Sequence, residues 1–262
     1  MQRLNQQHDL LVRLCHGNLI HPDIPQPQIS RVADIGTGTG CWLQDAVSVL
    51  AQTTADASMV SIGVDISNAH FPLDKHSNIE FITHDILQPF PEEFHGRFDL
   101  VHVRLLVLAL KREEIPTAAK NAAILLKKGG YLQWEEIEPS RLAFSHATPA
   151  ITSVRAAMRA NSIANGLAST PSRDITAALE ELSFGIIKVE DYSSEGRDEF
   201  TIAAKEWTKA GAKAVLHRAL RRSEGASGDA TKADELLGDY VRDIDGGVVP
   251  TIPFVMVLGQ KV

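Results

Sequence analysis

Three glycines at alternate positions, Gly36, Gly38 and Gly40, constrain the folding of this chain more than any other feature. They directly follow an apolar run, Ile29 to Ile35, and a helical pattern begins after them. Because glycine accepts positive φ and lets a ligand approach the backbone, this stretch predicts a strand that turns sharply into a helix. The free N–H groups and partial positive charge at such a helix start suit a carboxylate or a phosphate. The stretch therefore predicts a ligand-binding turn.

The spacing of the loop and the residue before it indicate which ligand is bound. A dinucleotide loop reads G-x-G-x-x-G/A, but here the pattern is G-x-G-x-G, and Cys41 stands where Gly or Ala is needed. Asp34, at the predicted strand end, would repel a pyrophosphate and attract an ammonium. No Gly-Lys-Ser/Thr follows, which excludes a P-loop. We therefore expect a ligand that carries both an amino group and a carboxylate, and an NAD-binding oxidoreductase is disfavoured.

The composition limits the class of protein and its partners. A chain of 262 residues, 44% hydrophobic and 23% charged, is typical of a soluble globular protein. Its net charge of −7 argues against nucleic acid or an anionic membrane as the main partner. The only cysteines, Cys15 and Cys41, favour a reducing compartment. Residues 1–8 lack the apolar core of a signal peptide, so we expect a cytoplasmic location.

Five apolar segments alternate with helical patterns along the first half of the chain. Strands are predicted at 29–35, 59–65, 79–83, 98–104 and 131–137, which indicates an α/β protein with a parallel, doubly wound sheet. One predicted helix covers 112–126 and is ended by the basic and glycine residues of 127–130. Ligands of such sheets bind outside the carboxyl ends of the strands. Charged residues lie at all five ends: Asp34, Asp65, Asp85, Arg104 and Glu135.

Two of these acids have the placement expected for contacts with a nucleoside. Asp65 ends the second strand, where it can accept bonds from two ribose hydroxyls, although it could also be an ordinary helix cap. Asp85 ends the third strand and can accept a bond from an adenine amine while Ile86 packs on the ring. The alternative for Asp85 is an ordinary turn residue.

Residues 30–137 resemble the class I S-adenosylmethionine (SAM) methyltransferases. The phrases Leu4–His8, Gly38–Trp42, Phe98–Arg104 and Leu126–Glu136 look like those of fungal secondary-metabolism methyltransferases. In that family the glycine loop passes beside the methionyl part of SAM, and the acid of the motif contacts its amino end. The resemblance implies a Rossmann-like sheet of seven strands with the last strand antiparallel. The cofactor-binding residues expected from the motifs and the resemblance are Asp34, Gly36, Thr37, Gly38, Gly40, Asp65, Ile66, Asp85, Ile86, Val103 and Arg104.

The resemblance leaves two functions open. One is an enzyme that methylates a small molecule, and the other is a regulatory protein that binds SAM but acts through protein partners. We expect one methyltransferase domain over residues 1–262. The helix within 1–28 either covers the cofactor mouth or caps the core. The segments 139–183 and 193–251 are predicted to form a substrate cap, with a Ser/Gly hinge at 223–229 and with Trp207, Val215, Leu216 and Leu220 partly facing the ligand.

Methyl transfer from a sulfonium mainly requires alignment of the reactants and exclusion of water. A hydroxyl acceptor also needs a base, whereas a thiol or an unprotonated amine does not. The fourth strand ends without the aspartate that binds Mg²⁺ in catechol methyltransferases, so we expect catalysis without a metal. The catalytic base is unassigned. His102 and Glu135 are weak candidates, and a structural role is the alternative for each.

Overall fold

A seven-stranded sheet dominates the computed structural model, which describes residues 2–53, 60–220 and 227–262. The strand order is β3-β2-β1-β4-β5-β9-β7. Strands β1 to β5 run parallel, and β9 pairs with β5 in the antiparallel direction, so the predicted fold class is confirmed. The strands are β1 (Arg31–Ile35), β2 (Val60–Asp65), β3 (Ile79–Thr83), β4 (Phe98–Arg104), β5 (Leu126–Ile137), β7 (Ile186–Ser193) and β9 (Pro253–Gln260), and two short strands, β6 (Ala143–Phe144) and β8 (Pro250–Thr251), form a separate pair.

The chain divides into two compact units, and the first contains the large sheet. It comprises the residues up to Ile137, Thr170–Tyr192 and Phe254–Val262. Its helices are α1 (Gln2–Leu14), α2 (Cys41–Leu50), α3 (Ile115–Leu125) and α5 (Pro171–Glu181). Helix α1 packs on α2, and α5 packs on α3 and β5. Helix α5 was grouped with the substrate cap from the sequence, but it lies in the sheet unit.

The predicted glycine cap on helix α3 is wrong. The helix ends at Leu125, and Leu126 is already extended and pairs with Phe98 of β4. Residues 127–130 therefore belong to β5 and do not form a helix terminus. Lys127 forms an ion pair with the buried Asp99 side chain, which also accepts hydrogen bonds from the backbone N–H groups at the start of β1. Strand pairing and this ion pair outweigh the local preference for a cap.

The second unit is a small helical body made of Glu138–Ser169 and Ser193–Pro253. Helices α4 (Pro149–Ala164), α6 (Thr201–Leu220) and α7 (Ser227–Asp245) pack against one another. Their core includes Ile151, Leu216, Tyr240 and Ile244. Val215 and Leu216, which were expected to face a ligand in part, are 7% and 5% exposed, and Leu216 packs in this core. Trp207 is half-buried in the same helix.

Part of the predicted cap lies outside the described residues. This applies to residues 223–226 of the predicted hinge and to the side chain of Leu220. Residues 227–229, the rest of the predicted hinge, begin helix α7. The assignment of substrate binding to these segments stays a prediction.

Gly63 in β2 provides a test of the packing beneath the glycine loop. A Cβ at this position would lie 2.5 Å from Phe81 Cε1 and 3.0 Å from Thr37 Oγ1. We expect Gly63→Ala to lower the free energy of unfolding by about 1–3 kcal/mol in urea denaturation, because overpacking forces the ring to move. Phe81→Leu should relieve the clash, so the double variant should lose less than the sum of the two single variants.

The matched control is Gly211→Ala in helix α6, where no atom lies within 4 Å of an added Cβ. This change should leave stability unchanged or raise it by about 0.5–1 kcal/mol. If Gly63→Ala were equally harmless, Phe81 would not be packed tightly against β2.

Candidate functional site

The glycine loop between β1 and α2 is held by the end of strand β2. Gly36, Gly38 and Gly40 all have positive φ, of 72°, 55° and 70°. The backbone N–H groups of Gly36 and Thr37 donate to Val64 O at 2.8 and 2.9 Å, and that of Gly38 donates to Asp65 Oδ2 at 2.9 Å. The loop therefore forms the predicted sharp turn from strand to helix.

Two of the glycines also lie where a side chain has no room. A Cβ on Gly36 would lie 2.9 Å from Leu106 Cδ2, and one on Gly40 would lie 2.6 Å from Phe81 Cζ. The conformation and the packing both select glycine at these positions.

Asp34 is buried beneath the loop and is already paired. Only 2% of its surface is exposed. Its Oδ2 accepts a hydrogen bond from Thr37 Oγ1 at 2.6 Å, and its Oδ1 lies 2.7 Å from His102 Nδ1. The carboxylate expected to attract an ammonium therefore lies at the loop, but within a hydrogen-bonded network of the protein itself.

His102 lies between two buried carboxylates. Its side chain is wholly buried, and its ring stacks on Trp42 with the centroids 3.5 Å apart and the planes 5° from parallel. On the side away from Asp34, Nε2 lies 3.6 Å from Glu135 Oε2 and has no hydrogen bond. A ring enclosed in this way has no face open to an acceptor molecule. This geometry favours the structural alternative for His102.

Glu135 is held from three sides. It is 3% exposed, its Oε1 accepts a hydrogen bond from Gln133 Nε2 at 2.6 Å, and its Oε2 lies 3.8 Å from Arg104 Nη1. Burial alone would raise the pKa of Glu135, but the neighbouring His102 and Arg104 hold this pKa below its ordinary value. The carboxylate is thus charged, enclosed and engaged, which is a poor arrangement for a base that must reach a substrate.

Arg104 connects this network to the N-terminal helix. Its Nη2 lies 3.0 Å from Nδ1 of His8, whose Nε2 lies 2.9 Å from Asp45 Oδ2 on α2. Burial and the neighbouring Arg104 lower the pKa of His8, so a neutral ring can accept from Arg104 and donate to Asp45. The sequence analysis did not assign His8 to the site, although the phrase Leu4–His8 contributed to the resemblance.

Helix α1 also touches the glycine loop. Thr39 Oγ1 donates to Asn5 Oδ1 at 2.8 Å, and a Cβ on Gly38 would lie 3.3 Å from Leu4 Cδ1. Further along the helix, Leu10, Leu11 and Leu14 are buried. Helix α1 therefore covers the loop with its first turns and closes the core with its later ones.

The other predicted contacts lie at the neighbouring strand ends. Asp65 is half-buried and also accepts from Ser67 N at 3.2 Å, whereas Ile66 is 69% exposed. Asp85 is half-buried and accepts from Leu87 N at 2.9 Å. Ile86 is 8% exposed, and its carbonyl accepts from Asn121 Nδ2 at 2.7 Å. Val103 is wholly buried within β4.

Glu136 is a buried acid that the sequence analysis did not single out. It is 1% exposed and accepts hydrogen bonds from Leu106 N at 2.7 Å, Val107 N at 3.1 Å and Trp134 Nε1 at 3.1 Å. Burial raises the pKa of Glu136 to about 8, despite the opposing effect of the three N–H donors. Through these bonds Glu136 links the segment that follows β4 to strand β5.

We expect Glu136 to make stability depend on pH. The unfolded chain releases this proton near its ordinary pKa of 4.5, but the folded protein retains it up to about 8. The contribution to stability is therefore complete below 4.5 and is lost as pH rises through 8, by about 1.4 kcal/mol per pH unit in between. Urea denaturation at several pH values in this window measures the slope of the free energy of unfolding against pH. In Glu136→Gln this slope should be smaller by the contribution of one proton.

The glutamine variant is the control for this effect, because its amide cannot titrate. Equal pH slopes in the two proteins would mean that Glu136 is charged in the folded state.

Known structures share this fold. A SAM-dependent methyltransferase from Archaeoglobus fulgidus matches 100% of this chain and 95% of its own, with a TM-score of 0.51 and 15% identity. The YcgJ protein from Bacillus subtilis matches 97% of this chain and 98% of its own, with a TM-score of 0.50 and 14% identity. The fold is that of the Rossmann-like methyltransferases.

Several sequence relatives of this chain are fungal proteins named as methyltransferases. Methyltransferase grgD of Penicillium is 43% identical over 138 residues, which are 52% of this chain and 48% of that protein. N-methyltransferase gliN of Aspergillus fumigatus is 36% identical over 138 residues, 52% of this chain and 46% of that protein. N-methyltransferase sirN of Leptosphaeria maculans is 34% identical over 148 residues, 56% of this chain and 49% of that protein. The resemblance to fungal methyltransferases is therefore confirmed.

The matched stretches span about half the length of these relatives. The secondary metabolism regulator laeA of Coprinopsis cinerea is 30% identical over 108 residues, 41% of this chain but 25% of that protein. No family model matches the sequence.

No group of three or more His, Cys, Asp and Glu side chains in residues 2–53, 60–220 and 227–262 is placed to share a metal ion. None of the helices in that part of the chain is long and apolar enough to cross a bilayer.

Proposed function

We propose that the protein is a SAM-dependent methyltransferase that acts on a small molecule without a metal. The observation that carries the proposal is the glycine loop, held between the acidic ends of β1 and β2 by bonds to Val64 and Asp65. The loop forms a cradle that a side chain on Gly36 or Gly40 would fill. Fungal relatives named methyltransferases and the methyltransferase fold support the same reading.

The residues of the site fit the parts of SAM by charge and exposure. Asp34 at the loop attracts the ammonium, and the half-buried Asp65 accepts from the ribose hydroxyls. The exposed Ile66 covers the sugar or the base, while Asp85 and Ile86 flank the adenine. The remaining expected contacts come from Gly36, Thr37, Gly38, Gly40, Val103 and Arg104. When bound, the cofactor supplies an electrophilic methyl carbon.

We further propose that the acceptor atom is an amine nitrogen in its uncharged form. Four relatives are named N-methyltransferases. An uncharged amine already has a lone pair and needs no base before attack. Both weak candidates for a base, His102 and Glu135, are buried and paired. The protein then contributes alignment and a dry site.

The enzyme is preferred over a regulatory protein that acts through partners. The relative named as a regulator matches over 25% of its own length, whereas the relatives named methyltransferases match over nearly half of theirs. We place acceptor recognition in the second unit, on helices α4, α6 and α7, as the sequence analysis expected of the cap segments.

Calorimetry should detect binding of SAM and of S-adenosylhomocysteine, but not of NAD(H). The buried charge of Asp34 and the carboxylate of Asp65 flank the loop and would repel a pyrophosphate. Titrations of the same preparation with NAD⁺ and NADH are the controls. NAD(H) binding as tight as that of S-adenosylhomocysteine would contradict the proposal.

Asp65→Ala should weaken the binding of S-adenosylhomocysteine about tenfold or more, since a hydrogen bond to a charged group contributes about 1.5–3 kcal/mol. Asp65 also accepts a hydrogen bond from Gly38 N, so it has two roles, support of the loop and binding of the ligand. The variant Asp65→Asn separates them. An amide oxygen preserves the bond that supports the loop but removes the charge. Asp74→Ala, which removes an exposed carboxylate before β3, is the matched control. Unchanged affinity in Asp65→Ala would assign Asp65 to the loop alone.

A further inference from the structure

The ring of His102 lies between two carboxylates, with a hydrogen bond to Asp34 and ion-pair distance to Glu135. Nδ1 lies 2.7 Å from Asp34 Oδ1, and Nε2 lies 3.6 Å from Glu135 Oε2. A neutral imidazole has one donor and one lone pair, so one of its nitrogens would direct that lone pair at a carboxylate. A ring that carries both protons avoids this repulsion and places a positive charge between the two carboxylates.

The charges of this buried cluster balance when His102 is protonated. Asp34 and Glu135 contribute two negative charges, and Arg104 and His102 contribute two positive ones. A buried excess charge is costly, because the surrounding protein solvates it poorly. An additional cation at Asp34 would upset this balance by one unit.

The other groups that face His102 do not change the charge balance. Helix α2 places uncharged Trp42 on the ring, and burial raises the pKa of the nearby Cys41 thiol, which stays neutral. From helix α1, His8 contacts Arg104 on its far side and pairs with Asp45. The titratable groups around the ring are therefore Asp34 on β1, Arg104 on β4, Glu135 on β5, Cys41 on α2 and His8 on α1.

We propose that cofactor binding expels one proton from His102, because the ammonium of the cofactor and the imidazolium compete for the charge of Asp34. The proton leaves from Nε2, which makes no hydrogen bond, while Nδ1 keeps its short bond to Asp34. The ammonium then balances Asp34, and Arg104 balances Glu135. His102 thus acts as a positioning residue that adjusts the acid of the loop. This inference rests on the proposed function.

The proposal gives the affinity a pH dependence of known sign. Because a proton is released, affinity increases with pH, by up to about tenfold per pH unit wherever His102 is charged in the free protein. The effect is confined to ligands with an ammonium. Measurements belong below the titration of the amino group of the ligand, so that its ammonium stays charged throughout.

Calorimetry in several buffers measures the released proton directly. The protein is titrated with S-adenosylhomocysteine at about pH 6.5, in buffers that differ in ionisation enthalpy. The slope of the observed enthalpy against the buffer enthalpy gives the number of protons. We expect release of between about half a proton and one proton.

Two comparisons assign the proton to its source. The ligand 5′-methylthioadenosine keeps the nucleoside and the thioether but lacks the amino acid, and it should bind without releasing a proton. His102→Asn keeps an amide donor near the position of Nδ1 and cannot titrate, so it should bind S-adenosylhomocysteine with no proton release. His146→Asn, which changes an exposed histidine of the second unit, should behave like the wild type.

The outcomes of these titrations separate this inference from the proposed function. Binding of S-adenosylhomocysteine without proton exchange would overturn this inference and leave the proposed function intact. Absence of binding would overturn the proposed function itself. Equal release with 5′-methylthioadenosine, or release that persists in His102→Asn, would show that the proton has another source. If His102→Asn does not fold, the comparison of the two ligands on the wild type still decides.

Discussion

The hydrogen bond between Asp34 and His102 joins the two central strands of the sheet at the point where the glycine loop begins. The two residues are direct neighbours in the register of β1 and β4. The register of β4 and β5 likewise places Arg104 opposite Glu135. The parallel pairing of three strands thus gathers two acids, a histidine and an arginine at one edge of the sheet. Helices α1 and α2 enclose this cluster through His8 and Trp42.

A buried ionic cluster is a weak source of stability, because desolvation offsets most of the Coulomb attraction. Removal of one partner is far more costly than the cluster is favourable, since it leaves an uncompensated charge. The arrangement is therefore rigid but sensitive to any new charge. Under the proposed function, the loop accepts the ammonium of the cofactor beside this cluster, and a rigid cluster keeps its geometry after each ligand leaves. This sensitivity connects the packing of the sheet to the proposed chemistry.

Local patterns in the sequence predicted the structure correctly where only one backbone conformation fits the residues. The alternate glycines predict the positive-φ turn that is observed, and the helix predicted over 112–126 is observed as α3 at Ile115–Leu125. The predicted cap at residues 127–130 was wrong because a longer-range interaction competed with it. Lys127 and Leu126 have partners on β4, far away in sequence, and these partners draw the segment into the sheet.

The sequence by itself determined the order of strands and helices, the position of the loop and the presence of charges at the strand ends, because these depend on local periodicity and on the needs of glycine. Only the tertiary structure decided which charges meet. Asp34 and His102 are 68 positions apart and come together through strand register. Adjacent Glu135 and Glu136 have different partners, because successive side chains of a strand point to opposite faces. Strand register, and the groups that meet each face of a strand, depend on pairing and packing between distant segments, and no single segment encodes them.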